Sequence, residues 1–206
     1  MSTSALDLAP VIPVVIVDDV ESAVPLARAL VAGGLPAVEV TLRTPAALGA
    51  IERIAAEVEG AFVGAGTVLT PDQAKAAADA GARFLVTPGC TETLYGALAD
   101  TGLSFLPGTS TVSEVLRLRE LGVREMKFFP AEASGGAPYL KSLASPVPDV
   151  RFCPTGGITP ASAPTYLALP NVACVGGSWM LPADAVASRD WARVEKLARE
   201  ASGLRG

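Results

Sequence analysis

Val11-Ile12-Pro13-Val14-Val15-Ile16-Val17 is an apolar run that ends in Asp18-Asp19-Val20-Glu21, and after an Ala-rich amphipathic stretch the chain turns apolar again at Ala37-Val38-Glu39-Val40-Thr41-Leu42. This is a strand, a helix and a second strand. Two strands joined by a helical crossover run parallel, because an antiparallel pair needs only a short turn. The same pitch continues along the chain. Further apolar runs cover residues 61–65, 84–87, 104–106, 125–129, 151–153 and 172–175, making eight. Helical patterns fill 20–32, 44–57, 71–80, 92–100, 112–121, a short piece near 139–143, and 160–167, with a last helix at 189–201. Eight repeats of this kind predict one compact α/β domain over residues 1–206, a closed (β/α)8 TIM barrel. At 206 residues it is shorter than the ~250 usual for that fold, so its loops must be short. An open doubly wound sheet is the alternative. It is disfavoured because an acidic segment, where a glycine fingerprint would stand, follows the first strand.

Punctuation agrees with the helices. Thr70-Pro71-Asp72 and Thr159-Pro160 set a capping residue before proline, and Gly33-Gly34, Gly81, Gly102 and Gly122 stand at helix ends. Composition narrows the function. The chain has no histidine, so metal ligation and general base catalysis lose their commonest side chain. Cys90, Cys153 and Cys174 are widely spaced and odd in number, which fits buried free thiols and neither a disulfide framework nor a metal cage. A net charge of −5 with scattered Lys and Arg gives no nucleic-acid stripe. No apolar run is long enough for a membrane span, and the first residues lack a basic region leading into an apolar one, so a cytoplasmic protein is expected.

Candidate chemistry gathers at strand ends, where barrels of this class build their sites. Lys127 lies within Glu125-Met126-Lys127-Phe128-Phe129-Pro130, an awkward place for an ammonium group. A lysine there either covers apolar surface with its stem or presents an amine in a dry place. A dry amine is a nucleophile for carbonyl carbon. Alternation puts Glu39, Thr41 and Arg43 on one face of the second strand, and Lys127 with Phe129 on one face of the sixth. Glu39 and Lys127 are therefore expected to meet across the barrel. Glu39 and Arg43 taken alone read as an ordinary ion pair or a solvated face. Two glycine pairs, Thr155-Gly156-Gly157-Ile158 and Gly176-Gly177-Ser178-Trp179, follow the seventh and eighth strands, where loops of such barrels bind phosphate through backbone N–H groups. Gly64-Ala65-Gly66-Thr67 is an incomplete dinucleotide fingerprint, and Thr67 reads better as a hydroxyl contact to substrate.

With these residues assembled the chain resembles the KDPG/KHG aldolase family, class I aldolases acting on 2-dehydro-3-deoxy-6-phosphogluconate and 4-hydroxy-2-oxoglutarate. The resemblance spans nearly the whole chain. It is carried by Gly34-Leu35-Pro36-Ala37-Val38-Glu39-Val40-Thr41-Leu42-Arg43 and by Gly122 through Lys127-Phe128-Phe129-Pro130-Ala131 to Gly135. Val63-Gly64-Ala65-Gly66-Thr67-Val68, Val86-Thr87-Pro88-Gly89 and Phe152-Cys153-Pro154-Thr155-Gly156-Gly157 support it. Thr87 stands where the family commonly has serine, and keeps the hydroxyl. The resemblance implies a Schiff base on Lys127, with Glu39 as the proton shuttle, no metal and no cofactor. It also implies that Arg43 and Thr67 hold the pyruvyl carboxylate and that Pro88 and Phe129 wall the imine. Thr155 would read the hydroxyls near the cleaved bond, and Gly156, Gly157, Gly177 and Ser178 would cradle phosphate. The substrate would be a small phosphorylated keto acid, and the assembly a homotrimer. A related aldolase for the galactonate epimer fits less well, because its glutamate segment usually lacks Thr41-Leu42-Arg43. Two other readings compete: a phosphate-binding isomerase or epimerase in which Lys127 is only an electrostatic partner, and a non-catalytic or engineered barrel.

Overall fold

The computed structural model describes residues 4–204. The opening unit is as read: β1 (Val11–Val15) and β2 (Ala37–Thr41) pair in parallel across α1 (Val20–Ala32), whose first turn is capped by the Asp19 carboxylate accepting from Glu21 N–H. The alternation continues through α2 (Ala47–Glu57), β3 (Phe62–Gly66), α3 (Pro71–Asp79), β4 (Phe84–Val86), α4 (Glu92–Asp100) and β5 (Ser104–Leu106). After a break come β6 (Gly108–Thr109), α5 (Val112–Glu120), β7 (Glu125–Phe128), α6 (Gly136–Leu143), β8 (Arg151–Pro154), α7 (Ala163–Leu167), β9 (Val175–Gly177), α8 (Ala183–Ala187) and α9 (Trp191–Ser202). One sheet has the order β5-β4-β3-β2-β1-β9 and a second the order β6-β7-β8, and every strand pair is parallel.

Pro107 explains the break. Proline has no N–H to give the ladder, so the fifth apolar run serves two neighbours in turn. Its first half, β5, pairs with β4; beyond Pro107, β6 pairs with β7. The gap is bridged by side chain and backbone: Gly108 N–H donates to Thr87 Oγ1 at 3.1 Å, and Lys127 N–H donates to the Pro107 carbonyl at 3.0 Å. At the opposite margin, isolated bridges join Phe152 to Val172 and Thr155 to Gly176. The product is a single α/β domain with a curled parallel sheet.

The two faces of the sheet differ. Val38, Val40, Val63, Ala65, Leu85, Met126, Phe128 and Phe152 point to the helices and are buried there. The alternate residues form a separate inner cluster that includes Ile12, Ala37, Phe62, Phe84, Leu106 and Cys153. Phe62 and Phe84 stack with ring centroids 5.6 Å apart. Leu6, from a 3-10 turn at Ala5–Asp7, is fully buried in this cluster and plugs it from the N-terminal end of the strands. Ser4 Oγ fixes that plug by donating to Glu125 Oε2 at 2.7 Å, and Arg151 pairs with both Asp7 and Glu125.

Several ends differ from the periodicity. α2 starts at Ala47 and not at 44, because Thr44 precedes Pro45, which disfavours helix, and its hydroxyl donates to the Val17 carbonyl instead. Thr70 caps α3 as expected, accepting from Gln73 N–H. Thr159 caps only a turn, accepting from Ser162 N–H, so α7 waits until Ala163. The last apolar run pairs at Val175–Gly177, later than 172–175, with Val172 left as a single bridge. The short α8 falls outside the expected helices. Arg189, expected to open the last helix, has φ 56, and α9 begins at Trp191 with Asp190 as its cap.

Candidate active site

The inner face changes character toward the C-terminal ends of the strands. Below lies the apolar cluster; above it stand Glu39, Thr41, Lys127 and Thr155, all buried. Lys127 is only 4% exposed and Glu39 only 3%, and the Lys127 Nζ lies 3.4 Å from Glu39 Oε1. The expected meeting across the sheet occurs. Backbone register fixes both: Glu39 sits opposite Gly64 on β3, and Lys127 opposite Gly108 on β6 and Cys153 on β8. The Lys127 carbonyl accepts from Thr109 Oγ1 at 3.2 Å, and its Nζ stands 5.2 Å from the centre of the Phe129 ring. A buried carboxylate beside a buried amine is within reach for proton exchange, directly or through one water, in an apo geometry.

Glycine makes the room. A Cβ on Gly66 would lie 2.2 Å from Glu39 Oε1, and one on Gly64 would lie 2.4 Å from the Phe84 ring. Glu39 thus lies against the bare backbone of β3. Gly66 belongs to the quoted Gly64-Ala65-Gly66-Thr67 run, and what it supplies in the structure is space for Glu39.

Arg43 and Thr67 come together at the rim. The exposed Arg43 donates from Nε to Thr67 Oγ1 at 3.1 Å. Thr67 holds φ 57, a left-handed conformation that a β-branched residue rarely adopts, at a cost of about 1–3 kcal/mol. Pro88 is half-buried, its backbone pressed against Gly108, where a Cβ would meet the Pro88 carbonyl at 2.2 Å.

A cavity of about 280 Å³ opens beyond Phe129, the residue whose ring stands 5.2 Å from Lys127 Nζ. Arg43, Phe129, Thr155, Gly156, Gly157, Gly177 and Ser178 line it. Nine of the eleven candidate residues therefore belong either to this cavity or to the Lys127–Glu39 pair, with Thr67 tied on through Arg43 and Pro88 apart from the cavity wall. Val14, Ile158 and Gly176 also line the cavity and were not singled out. Val14 and Ile158 give no chemical signal in sequence. Gly176 could have been found as the first glycine of its pair: a Cβ there would lie 2.2 Å from Thr155 Oγ1. Gly156 and Gly157 both have positive φ, 106 and 81, which glycine alone adopts without strain.

No group of three or more His, Cys, Asp or Glu side chains is arranged to hold a metal ion among the described residues, and no described helix is long and apolar enough to cross a membrane.

A buried lysine facing a buried glutamate at the C-terminal ends of a parallel α/β sheet suits carbonyl chemistry, and the family match makes the chain an aldolase, a lyase. Residues 3–197 match the family signature described as KDPG and KHG aldolase. The chain belongs to that family. It is 53% identical over 198 residues, 96% of this chain and 93% of its relative, to the KHG/KDPG aldolase of Escherichia coli K12. Among solved structures it is similar to the KDPG aldolase of Legionella pneumophila, in which pyruvate was captured at low pH as a covalent carbinolamine intermediate (TM-score 0.94, 44% identity, 96% of both chains). It is similar too to the 2-keto-3-deoxy-6-phosphogluconate aldolase of Zymomonas mobilis with 3-phosphoglycerate (TM-score 0.93, 50% identity, 98% of this chain and 94% of that one).

Proposed function

We propose that the protein is a class I aldolase that cleaves 2-dehydro-3-deoxy-6-phosphogluconate to pyruvate and glyceraldehyde 3-phosphate, and 4-hydroxy-2-oxoglutarate to pyruvate and glyoxylate. The observation that carries this reading is the Lys127–Glu39 pair, 3.4 Å apart and almost wholly withdrawn from solvent.

The Lys127 amine attacks the C2 carbonyl of the keto acid to give a carbinolamine. Glu39 delivers a proton to the departing hydroxyl, water leaves, and a protonated imine remains. Glu39, now a carboxylate, takes the proton of the C4 hydroxyl as the C3–C4 bond breaks; its electrons flow into the imine and C4 departs as the aldehyde. The enamine is reprotonated at C3, and hydrolysis frees pyruvate and the Lys127 amine. The proton that Glu39 takes from the C4 hydroxyl is the one it returns to C3, water enters in the final hydrolysis as it left in the dehydration, and nothing is oxidised or reduced.

Binding roles follow from chemistry at each position. Arg43 offers a planar fork to the pyruvyl carboxylate, with Thr67 beside it. Phe129 and Pro88 shield the imine. The Thr155 hydroxyl, 7% exposed at the cavity wall, reads the configuration near the cleaved bond. Gly156, Gly157, Gly177 and Ser178 receive the distal phosphate on backbone N–H groups. The 3-phosphoglycerate held by the Zymomonas mobilis relative supports a phosphorylated ligand here.

We also infer that residues 1–206 form one catalytic domain whose curled sheet closes as a (β/α)8 TIM barrel. The Pro107–Lys127 hydrogen bond on one side and the Thr155–Gly176 bridge on the other support closure. The assembly we assign is the homotrimer of the family, with no nucleic-acid or membrane partner. The odd number and wide spacing of Cys90, Cys153 and Cys174, which suit no disulfide framework, support a reducing, cytoplasmic compartment.

The test is incubation with pyruvate and borohydride followed by peptide mapping. A reduced pyruvyl adduct on Lys127, absent in Lys127→Ala, is expected. An unmodified Lys127 would overturn the Schiff-base mechanism and favour an isomerase.

A further inference from the structure

The loop after β8 is held from below by the segment that follows β7. Ala131 N–H donates to the Thr155 carbonyl at 2.8 Å and Glu132 N–H to the Gly156 carbonyl at 3.1 Å. The Glu132 side chain then runs directly under Gly157: a Cβ on that glycine would lie 2.7 Å from Glu132 Cγ and 2.9 Å from its Cβ. Tyr166, from α7, closes the circuit. Its ring is 1% exposed, and its hydroxyl donates to Glu132 Oε1 at 2.6 Å. Gly136 leaves space for that hydroxyl, since a Cβ there would stand 3.3 Å away. The loop, its floor and the helix that follows the loop are thus tied by one buried phenol.

We propose that Tyr166 is a positioning residue for the distal, phosphate-bearing end of the substrate: by fixing the Glu132 side chain under Gly157 it sets the aim of the Gly156 and Gly157 N–H groups. The inference rests on the phosphate role given to that loop under the proposed function. The tether has a second effect, because Glu132 is an exposed carboxylate beside a site for an anion. Holding Oε1 on the phenol keeps that charge turned toward α7. Burial, and then the neighbouring carboxylate, push the Tyr166 phenol well above its ordinary value, so it remains a donor at any working pH.

The experiment compares KM and kcat for 2-dehydro-3-deoxy-6-phosphogluconate and for the unphosphorylated 4-hydroxy-2-oxoglutarate. Tyr166→Phe should raise KM for the phosphorylated substrate about fivefold, the scale of one partly exposed hydrogen bond to a charged group. KM for the unphosphorylated substrate and the rate of borohydride trapping with pyruvate should stay within about twofold of wild type. Glu132→Ala should reproduce the defect, and Glu132→Gln, which keeps an acceptor for the phenol, should restore most of it. Because Glu132 is exposed, these two variants keep the proposal testable if Tyr166→Phe fails to fold. An equal rise in KM for both substrates, or no rise in either, overturns the positioning role. A wild-type enzyme that binds both substrates equally and is not inhibited competitively by inorganic phosphate overturns the phosphate loop itself, and this proposal with it.

Discussion

Gly66→Ala should silence the enzyme while leaving it folded. The new methyl carbon would stand 2.2 Å from Glu39 Oε1, 2.6 Å from its Cγ and 2.7 Å from its Cδ. Nonbonded heavy atoms settle near ~3.5 Å, so the carboxylate must retreat by more than about 1 Å. Gly66 has an ordinary φ, absent from the positive values, so alanine fits its backbone without strain. The side chain gives way instead, at a cost to stability of about 1–3 kcal/mol. For catalysis the consequence is larger. The Lys127–Glu39 separation is already 3.4 Å, and a displacement of ~1 Å in a reacting group costs about 10²-fold. The expected kcat for pyruvate release is about a hundredth of wild type, with KM little changed, and borohydride trapping with pyruvate slows in parallel, since carbinolamine dehydration needs the same proton. Gly64→Ala is the control. Its methyl would strike three atoms of the Phe84 ring within 2.6 Å, a rigid obstacle in the apolar floor, so its melting temperature should fall while activity per folded molecule holds. Wild-type kcat in a folded Gly66→Ala enzyme would refute the role given to Glu39.

Three further outcomes are expected. Arg43→Lys keeps the charge but loses the fork and the Nε bond to Thr67; steady-state kinetics should show KM for pyruvyl substrates raised about tenfold. Thr67→Gly should raise stability by about 1 kcal/mol in urea unfolding, by releasing the left-handed threonine, yet weaken substrate binding through the lost hydroxyl. At Glu114, burial pushes the carboxyl up, but hydrogen bonds donated by Ser110 and Thr111 outweigh it and hold the group below its usual range. A depressed carboxyl stabilises fully above its unfolded pKa of ~4.3 and loses that contribution as pH falls through the folded value. Melting curves of Glu114→Gln should therefore lie well below wild type at neutral pH and converge with it in acid.

What the sequence discloses and what it conceals divide along physical lines. The helix start at Thr70 was legible because a cap acts on an N–H group three residues away. Lys127 and Glu39 were legible because a charge inside an apolar run conflicts with its surroundings, and alternation then fixed which face each takes. Pro107 was not read as a break, since its effect depends on which strands flank it in space. The contacts of Gly66 with Glu39 and of Gly157 with Glu132 were equally hidden: a glycine near a strand end reads as a turn, and only the partner segment reveals that the missing side chain is the point. Tyr166 gave no signal, being one apolar-facing position on a short helix.

The layering of the inner face explains why the amine can sit where it does. Phe62, Phe84 and Leu6 belong to the apolar cluster that fills the sheet interior toward the N-terminal ends of the strands, below Lys127. From above, Phe129 stands 5.2 Å from the Nζ, and the same phenylalanine lines the cavity together with Arg43 and Thr155. A buried amine and carboxylate seldom repay their desolvation in stability, and apolar residues of similar volume would often serve the fold as well or better. Taking away one partner leaves the other uncompensated, which costs about 3–5 kcal/mol. The pair is thus neither free to lose one member nor needed for packing. Its place above the apolar cluster, beside a phenylalanine that also lines a cavity with Arg43, fits the chemistry proposed for it: the cluster withdraws the amine from solvent, and the arginine is the proposed partner of the substrate carboxylate.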